Sequence, residues 1–295
     1  MVVVPQEAGK ILRSMKKYFL VFLVFLSCKQ DYGNLTRVAK LPKLMEEVSG
    51  IQYDVSRNAF WMLNDSGNSP SVYLVSEKGK IIREIKLLVN NIDFEDITQD
   101  KSGNLYVGNF GNNYNDRKDL QILKINASDL ENSKKVEVQK TFFSFPEQKK
   151  FPPKKKYYDM EGFFEHKGFF YVFTKSRVKK QIGRTFLYRI PNKEGTFQAE
   201  LVSDFMTCKG KGCWITGADI SDDGKKVALV NHTSAWIFTN FKNDDFFSGD
   251  AKKYKFKHDS QKESITFKSN TQIYVADEDE SGANSGRNLY SLEID

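Results

Sequence analysis

Four acidic residues stand where the chain enters segments rich in β-branched and aromatic residues: Glu95, Asp96, Glu161 and Glu263. Glycoside hydrolysis requires two carboxyl groups ~5–9.5 Å apart, one of them with a raised pKa. Carboxylate oxygens are also the ligands that a hard cation such as Ca²⁺ prefers. These four residues are therefore the candidate catalytic residues, and their chemistry depends on whether the fold brings them together.

One loop has the spacing of calcium ligands. Asp277, Asp279 and Ser281, followed by Gly282, place oxygen atoms at alternating positions before a glycine that permits a sharp turn. The bidentate glutamate expected at position 12 of such a loop is absent, since Asn288 stands there. A weak metal site and an acidic surface turn both explain the segment.

A repeated β unit must position these residues. The chain has 295 residues, including 24 Phe and 13 Tyr, and aromatic residues favour strands. Five segments share a small or acidic residue followed by a strand pattern: 48–54, 94–100, 160–166, 215–221 and 262–268. Aligning Gly50, Asp96, Gly162, Gly217 and Ser264 gives spacings of 46, 66, 55 and 47 residues.

These spacings fit units of four strands, so we predict an all-β chain folded as a β-propeller with five four-stranded blades. The fifth unit contains only three strands, and residues 36–41 are predicted to supply its outer strand and close the ring. A sixth blade within residues 126–160 is the alternative. The three prolines and five lysines of residues 145–159 favour a loop there. The predicted propeller domain covers residues 36–295.

In a propeller, the loops that enter each first strand and those that join the second strand to the third lie on one face. These loops are rich in Asn, Asp and Glu, and loops on a rigid scaffold commonly carry function. Turn formation is the better explanation of any single one of these residues, whereas five such loops on one face favour a functional role. The predicted ligand-binding residues on this face are Asn64, Asp65, Asn109, Asn112, Asn113, Arg117, Asn231, His232, Asp277 and Arg287.

Acidic and amide residues at inner strand ends resemble the calcium ligands of propeller hydrolases of the gluconolactonase and paraoxonase kind, which have six blades. The positions that carry this resemblance are Glu95, Glu161, Asn64, Asn109, Asn231 and Asp277. The resemblance implies Ca²⁺ as the cofactor, and hydrolysis of sugars or lactones at the channel mouth.

The N-terminal region has the order of an export signal. Residues 15–27 comprise two lysines, an apolar run too short to span a bilayer, and a small residue before Cys28. Cys28 resembles the acylated cysteine of bacterial lipoproteins, and an ordinary signal with an incidental cysteine is the alternative. Residues 1–14 are interpreted as a start-site extension and residues 28–35 as a tether.

The chain therefore resembles the uncharacterised lipid-anchored β-propeller proteins of bacteria. This resemblance implies an exported protein, lipid-anchored at Cys28 to the cell envelope on its periplasmic or surface side. In such a compartment we predict a disulfide between Cys208 and Cys213.

Charge narrows the choice of partners. The formal net charge is +7, and removal of the signal segment leaves +4, so the mature domain is only mildly basic. The lysine clusters lack the interleaved aromatic pattern of nucleic-acid binding. The leading hypothesis is a module that binds a small molecule, glycan or protein through its Asn/Asp/Glu-rich face, and a calcium- or carboxylate-dependent hydrolase is the alternative.

Overall fold

The computed structural model describes residues 31–279 and 285–295. The expectations for residues 1–14, for residues 15–27, for Cys28 and for Ser281 fall outside the described residues. Residues 32–295 form one compact unit. Within the described ranges the chain forms 22 β-strands and one α-helix.

The strands of the first half are β1 (Thr36–Lys40), β2 (Val48–Asp54), β3 (Ala59–Asn64), β4 (Ser71–Ser76), β5 (Ile81–Leu87), β6 (Phe94–Gln99), β7 (Leu105–Asn109), β8 (Gln121–Ile125), β9 (Lys135–Val136), β10 (Gln139–Ser144) and β11 (Asp159–His166). Those of the second half are β12 (Phe169–Lys175), β13 (Arg184–Pro191), β14 (Gly195–Gln198), β15 (Glu200–Met206), β16 (Gly217–Ile220), β17 (Val227–Asn231), β18 (Ser234–Thr239), β19 (Asp250–Lys255), β20 (Lys262–Ser269), β21 (Gln272–Asp277) and β22 (Asn288–Glu293). The helix α1 (Ala127–Asn132) lies between β8 and β9.

The strands pair into five sheets, which confirms the five-bladed propeller. Blade 1 is β2-β3-β4-β5, blade 2 is β6-β7-β8-β10, blade 3 is β11-β12-β13-β15, blade 4 is β16-β17-β18-β19 and blade 5 is β20-β21-β22-β1. The short strands β9 and β14 extend blades 1 and 2 by parallel pairing. Residues 145–158 contain no strand, so the six-blade alternative is wrong.

The N-terminal strand closes the ring, as predicted from the fifth repeat unit, which contains three strands instead of four. Strand β1 pairs antiparallel with β22, from Thr36 opposite Ser291 to Lys40 opposite Asn288. This pairing completes blade 5 with a strand from the other end of the domain. An edge that would otherwise be open is thereby covered.

The hydrophobic core consists of five clusters, one between each pair of adjacent blades. The cluster between blades 2 and 3 shows why the chain is rich in aromatics. Tyr106, Phe163 and Phe170 are almost completely buried there, with ring centroids 5.0–6.1 Å apart. Large flat side chains fill the gap between twisted sheets and pack edge to face.

The aligned repeat positions are where neighbouring inner strands approach one another around the axis. A Cβ added at Gly50 would lie 2.9 Å from the Asp96 Cα atom, and one at Gly162 would lie 2.7 Å from the Ala218 nitrogen. A Cβ at Gly217 would lie 3.1 Å from the Ser264 Cα atom. The repeat in the sequence therefore reflects close backbone contact between blades.

Candidate functional site at the channel mouth

A bulge precedes the aligned position in the inner strands of four blades. The register shifts at Ser49, Glu95, Glu161 and Glu263, each immediately before the residue that contacts the neighbouring blade. A bulge leaves its extra residue unpaired and re-aims the side chain. Three glutamates from blades 2, 3 and 5 are thus directed to the channel mouth by the same backbone feature.

Three carboxyl groups meet where blades 1 and 2 adjoin. One oxygen each of Asp65, Asp93 and Glu95 lies within 4.8 Å of the other two. Asp65 follows β3 of blade 1, whereas Asp93 and Glu95 belong to the entry of β6 in blade 2. Gly111 lines this group closely, since a Cβ there would come 2.1 Å from Glu95 Oε1. We call these three residues the acid trio.

Burial and mutual repulsion perturb the acid trio. Desolvation, together with the nearby Asp93 and Glu263 carboxylates, raises the pKa of Asp65 to about 7. Desolvation raises the pKa of Glu95 well above its usual range, and Glu161 adds to the effect. Burial and mutual repulsion therefore favour the protonated forms of these carboxyl groups when no cation is bound.

A second acidic group is already neutralised by basic side chains. Lys175 Nζ lies 2.8 Å from Glu161 Oε2, and Arg177 Nε lies 2.6 Å from Asp159 Oδ2. Burial alone would lower the pKa of Lys175, but the carboxylates of Glu161 and Glu263 raise it above its usual range. Arg177 also reaches Glu161 Oε1 at 3.3 Å. These contacts are those of a buried ion-pair network.

A histidine lies beside the third bulge glutamate. His232 Nε2 is 3.1 Å from Glu263 Oε1, and the two side chains keep partial exposure, 23% and 13%. His232 comes from the loop after β17 of blade 4, next to the entry of β20. The contact lacks hydrogen-bond geometry, since His232 Nε2 has no hydrogen-bond partner among the described residues, but an imidazole beside a carboxylate is a candidate general base.

Among the described residues, the carboxyl groups that converge at the channel mouth outnumber the basic side chains that contact or adjoin them. The acidic groups of the mouth are the trio, Asp159, Glu161 and Glu263, and the basic groups that act on them are Lys175, Arg177 and Arg117. Six carboxyl groups thus share three cationic side chains. Oxygen ligands, partial burial and uncompensated charge are the features of a site for a hard divalent cation. The acid trio fits such an ion.

The predicted amide ligands serve the loops instead. Asn64 Nδ2 donates to the Leu44 carbonyl at 2.7 Å, and Asn109 Oδ1 accepts from the Asp93 amide at 3.1 Å. Asn231 Oδ1 accepts from the Ser234 amide at 2.9 Å. Asn64 and Asn109 therefore hold the segment that enters the first strand of their own blade, and Asn231 holds the turn that follows it.

The loop of blade 2 is held by its own polar residues. Asn112 Nδ2 donates to the Tyr158 carbonyl at 2.9 Å, and Arg117 donates to the Gly111 and Asn109 carbonyls. Asn113 is exposed and accepts from Arg177. These residues shape the wall beside the acid trio.

The blade 5 loop is engaged in ring closure. Asp277 Oδ1 accepts from the Asn288 amide at 2.6 Å, and its Oδ2 accepts from the Tyr290 hydroxyl at 2.7 Å. Arg287 donates to the Leu41 carbonyl and lies 3.5 Å from Asp279. The Asp277 oxygens thus have protein donors, and the calcium-loop hypothesis stays a prediction because Ser281 lies outside the described residues.

Asp96 differs from the other candidate catalytic residues because it points into the packed channel. It is fully buried, and its Oδ2 accepts from the amides of Phe163 in blade 3 and Ala218 in blade 4, at 3.0 and 3.4 Å. Its carboxyl therefore joins three blades across the axis. Asp96 serves the fold rather than the mouth.

The site contains two groups that the sequence did not single out. Asp93 was not among the predicted site residues, and Lys175 and Arg177 were not predicted as partners of Glu161. Asp93 has a sequence signal, since it stands two residues before the bulge. The ion pairs have none, because they depend on the register between β11 and β12.

Cys208 and Cys213 are joined by a disulfide in the loop after β15.

Among the described residues no helix is long and apolar enough to cross a bilayer.

The sequence matches no protein-family profile and no curated protein. Solved structures that resemble the chain are β-propeller proteins. Virginiamycin B lyase from Staphylococcus aureus is 14% identical with a TM-score of 0.42, covering 86% of this chain and 69% of its own. PQQ-bound aldose sugar dehydrogenase from Streptomyces coelicolor is 10% identical with a TM-score of 0.48, and the match covers 89% of this chain and 98% of that protein. A candidate gluconolactonase is 9% identical with a TM-score of 0.48, and the match covers 89% of this chain and 94% of that protein. Likeness at this level adds nothing to what the strand pairing shows.

Proposed function

We propose that this protein is a ligand-binding β-propeller that holds a divalent cation of the Ca²⁺ class at the channel mouth and binds an oxygen-rich ligand there. The observation that carries the proposal is the acid trio: Asp65, Asp93 and Glu95 converge within 4.8 Å, and within the described residues none of them forms an ion pair, since Arg117 pairs with Asp119 and Arg177 with Asp159 and Glu161. The carboxylates of the trio would fill only part of the coordination shell of a bound cation, since Ca²⁺ takes 6–8 oxygen ligands. The remaining positions are open to hydroxyl or carboxylate oxygens of a ligand.

The other mouth residues support this role. Glu95 is buried and comes from a bulge in the rigid inner strand, so it is the fixed ligand. Asp65 and Asp93 are partly exposed and lie on the ligand side. Arg117 holds the neighbouring loop by donating to the Gly111 carbonyl at 2.7 Å, which keeps the wall of the site in place.

Calorimetric titration of chelator-treated protein tests the proposal. Wild-type protein is expected to bind Ca²⁺ at one site, and Glu95→Gln, which keeps the shape of the side chain, is expected to lose that binding. Glu46→Gln is the matched control, because Glu46 is an exposed acid on the same face. Equal binding by wild type and Glu95→Gln would overturn the proposal.

The pair formed by His232 and Glu263 supports a second candidate function, cation-dependent hydrolysis of lactones or sugars. In this role His232 would accept a proton from a water molecule, and the neighbouring Glu263 carboxylate would stabilise the imidazolium that forms. If the protein is a hydrolase, His232→Gln abolishes turnover on a panel of lactones and glycosides but leaves Ca²⁺ binding intact. Absence of turnover by the wild type on that panel would leave the binding function alone.

We further propose that the protein is exported and anchored by a lipid on Cys28. The signal-like residues 15–27 support this, and the disulfide between Cys208 and Cys213 suits an oxidising compartment. Cys28→Ser is expected to move the protein from the membrane fraction to the soluble fraction. Unchanged fractionation would contradict the anchor.

A further inference from the structure

Three loops on the mouth side of blades 2 and 3 form a continuous surface. They comprise residues 112–119, 146–158 and 178–181, which we call the basic platform. Gln148 Nε2 donates to the Asn115 carbonyl, and the Tyr158 amide donates to Asn115 Oδ1, both at 2.7 Å. The Tyr157 hydroxyl donates to Gln181 Oε1 at 2.6 Å. The loops are therefore packed together rather than separately solvated.

The platform concentrates positive charge. It contains nine basic residues against Asp116, Asp119 and Glu147, a net charge of +6. The mature chain has a formal charge of +4, so the rest of the domain is net negative. The basic residues are Arg117, Lys118, Lys149, Lys150, Lys154, Lys155, Lys156, Lys179 and Lys180. Within the described residues, none of the eight lysines forms an ion pair.

Two aromatic side chains are exposed among these lysines. Tyr114 is 71% exposed and Phe151 is 38% exposed. Lys156 lies 5.7 Å from the Tyr114 ring and Lys118 lies 5.1 Å from the Phe151 ring, so a cation already stands over each ring. One face of each ring is thus covered by an ammonium group, which reduces the aromatic surface on which nucleic-acid bases could stack.

We infer that the basic platform binds an acidic polysaccharide, a linear chain that bears carboxylate groups. This inference rests on the proposed binding function and specifies the class of its ligand. The platform adjoins the channel mouth, because Arg177 donates its backbone amide to the Lys156 carbonyl at 2.9 Å and its side chain contacts Asp159. A polymer lying on the lysines can thus extend to the acid trio.

Charge distribution on the face favours a linear polymer over a membrane surface. On the opposite side of the mouth the exposed acids Glu46, Glu47 and Asp259 share their loops with the exposed Lys43 and Lys257, so the charge there is mixed. A flat anionic leaflet covering the whole face would be attracted by the platform and would gain little from the mixed charges of the other half. A polymer chain can follow the basic half alone.

The experiment compares two charge-reversal variants of the full chain. The platform variant is Lys149→Glu, Lys150→Glu, Lys154→Glu and Lys155→Glu, and the control variant is Lys78→Glu, Lys80→Glu, Lys193→Glu and Lys225→Glu, on turns of the opposite face. All eight lysines are exposed. Binding to polygalacturonate is measured at low and high salt, and thermal unfolding confirms that both variants are folded.

We expect the platform variant to lose about tenfold or more in affinity and the control variant less than about twofold, with wild-type binding weakened by salt and absent for neutral dextran. Equal losses in the two variants, or none in the platform variant, would overturn the inference. Tighter lysine-dependent binding to single-stranded DNA or to anionic phospholipid vesicles than to polygalacturonate would also overturn it.

Repeating the measurement with chelator separates this inference from the proposed function. If lysine-dependent binding persists and Glu95→Gln has no effect on Ca²⁺ binding, the cation proposal fails and the platform stands. If Ca²⁺ binding depends on Glu95 while the platform variant binds polygalacturonate normally, the platform inference fails and the cation site stands.

Discussion

Replacing Asp65 by Asn should stabilise the cation-free protein. The pKa of Asp65 is raised from 3.8 to about 7 by burial and by the neighbouring carboxylates. Each unit of pKa shift corresponds to ~1.4 kcal/mol, so ionising Asp65 in the folded state costs up to about 4 kcal/mol. Because Asp93 shares that repulsion, we expect Asp65→Asn to raise the free energy of unfolding by roughly 2 kcal/mol at pH 8.

The effect should depend on pH in one direction. A carboxyl whose pKa is raised in the folded state contributes its full stability below its unfolded pKa and loses it as the pH rises through the folded pKa. The variant lacks this loss. Its advantage over wild type should therefore be small at pH 4 and should grow up to about pH 8. Asn also keeps the oxygen that accepts the Ser66 amide, so the turn is preserved.

Thermal unfolding with and without Ca²⁺ measures both parts of this prediction. A change of 1 kcal/mol shifts the midpoint by ~2–4 °C in a chain of this size, so the cation-free variant should melt about 4–8 °C higher than wild type at pH 8. At a Ca²⁺ concentration of about 100 Kd, the free energy of unfolding of the wild type should rise by ~2.7 kcal/mol and that of the variant by far less. The difference in melting temperature between the two proteins should then shrink or change sign.

Asp116→Asn is the control, since Asp116 is an exposed acid on the same face. A cation-free Asp65→Asn protein that melts below wild type at pH 8 would show that the carboxyls are not crowded. An equal Ca²⁺ shift in both proteins would show that the cation binds elsewhere.

Other expected outcomes follow from the same geometry. Calorimetric Ca²⁺ affinity should fall about tenfold per pH unit below 7, because the cation displaces a proton from a group with a pKa of about 7, and a flat profile would contradict the site. Gly50→Val should lower the free energy of unfolding in urea by roughly 3 kcal/mol, since its Cβ would lie 2.9 Å from the Asp96 Cα atom, and an unchanged midpoint would refute the contact between inner strands. Cys213→Ser should cost ~2 kcal/mol in the same assay, the loop-closure value for a short disulfide loop, and reductant should then have no further effect.

The fold was largely predictable because a propeller repeats its constraints. Gly50, Gly162 and Gly217 mark close contacts between inner strands, so the same position is small in several blades. The shortage of one strand in the last unit predicted closure by β1, since an open edge would remain otherwise. The helix α1 and the short strands β9 and β14 were not predicted, because they occur once each and have no repeat signal.

The candidate site was only partly predictable. The sequence identified Glu95, Glu161 and Glu263 as acids beside first strands, and the bulges explain why all three reach the mouth. It could not separate Asp96 from Glu95, although one residue along a strand reverses the direction of the side chain. Asp96 consequently points into the packed channel while Glu95 faces the mouth.

Crystallography with a cation that scatters anomalously, such as Mn²⁺ soaked into crystals of the protein, tests the central claim most directly. The account predicts one strong peak ~2.0–2.6 Å from carboxylate oxygens of Asp65, Asp93 and Glu95. A mouth without a peak at saturating cation, or a peak held by other residues while the trio stays empty, would contradict it.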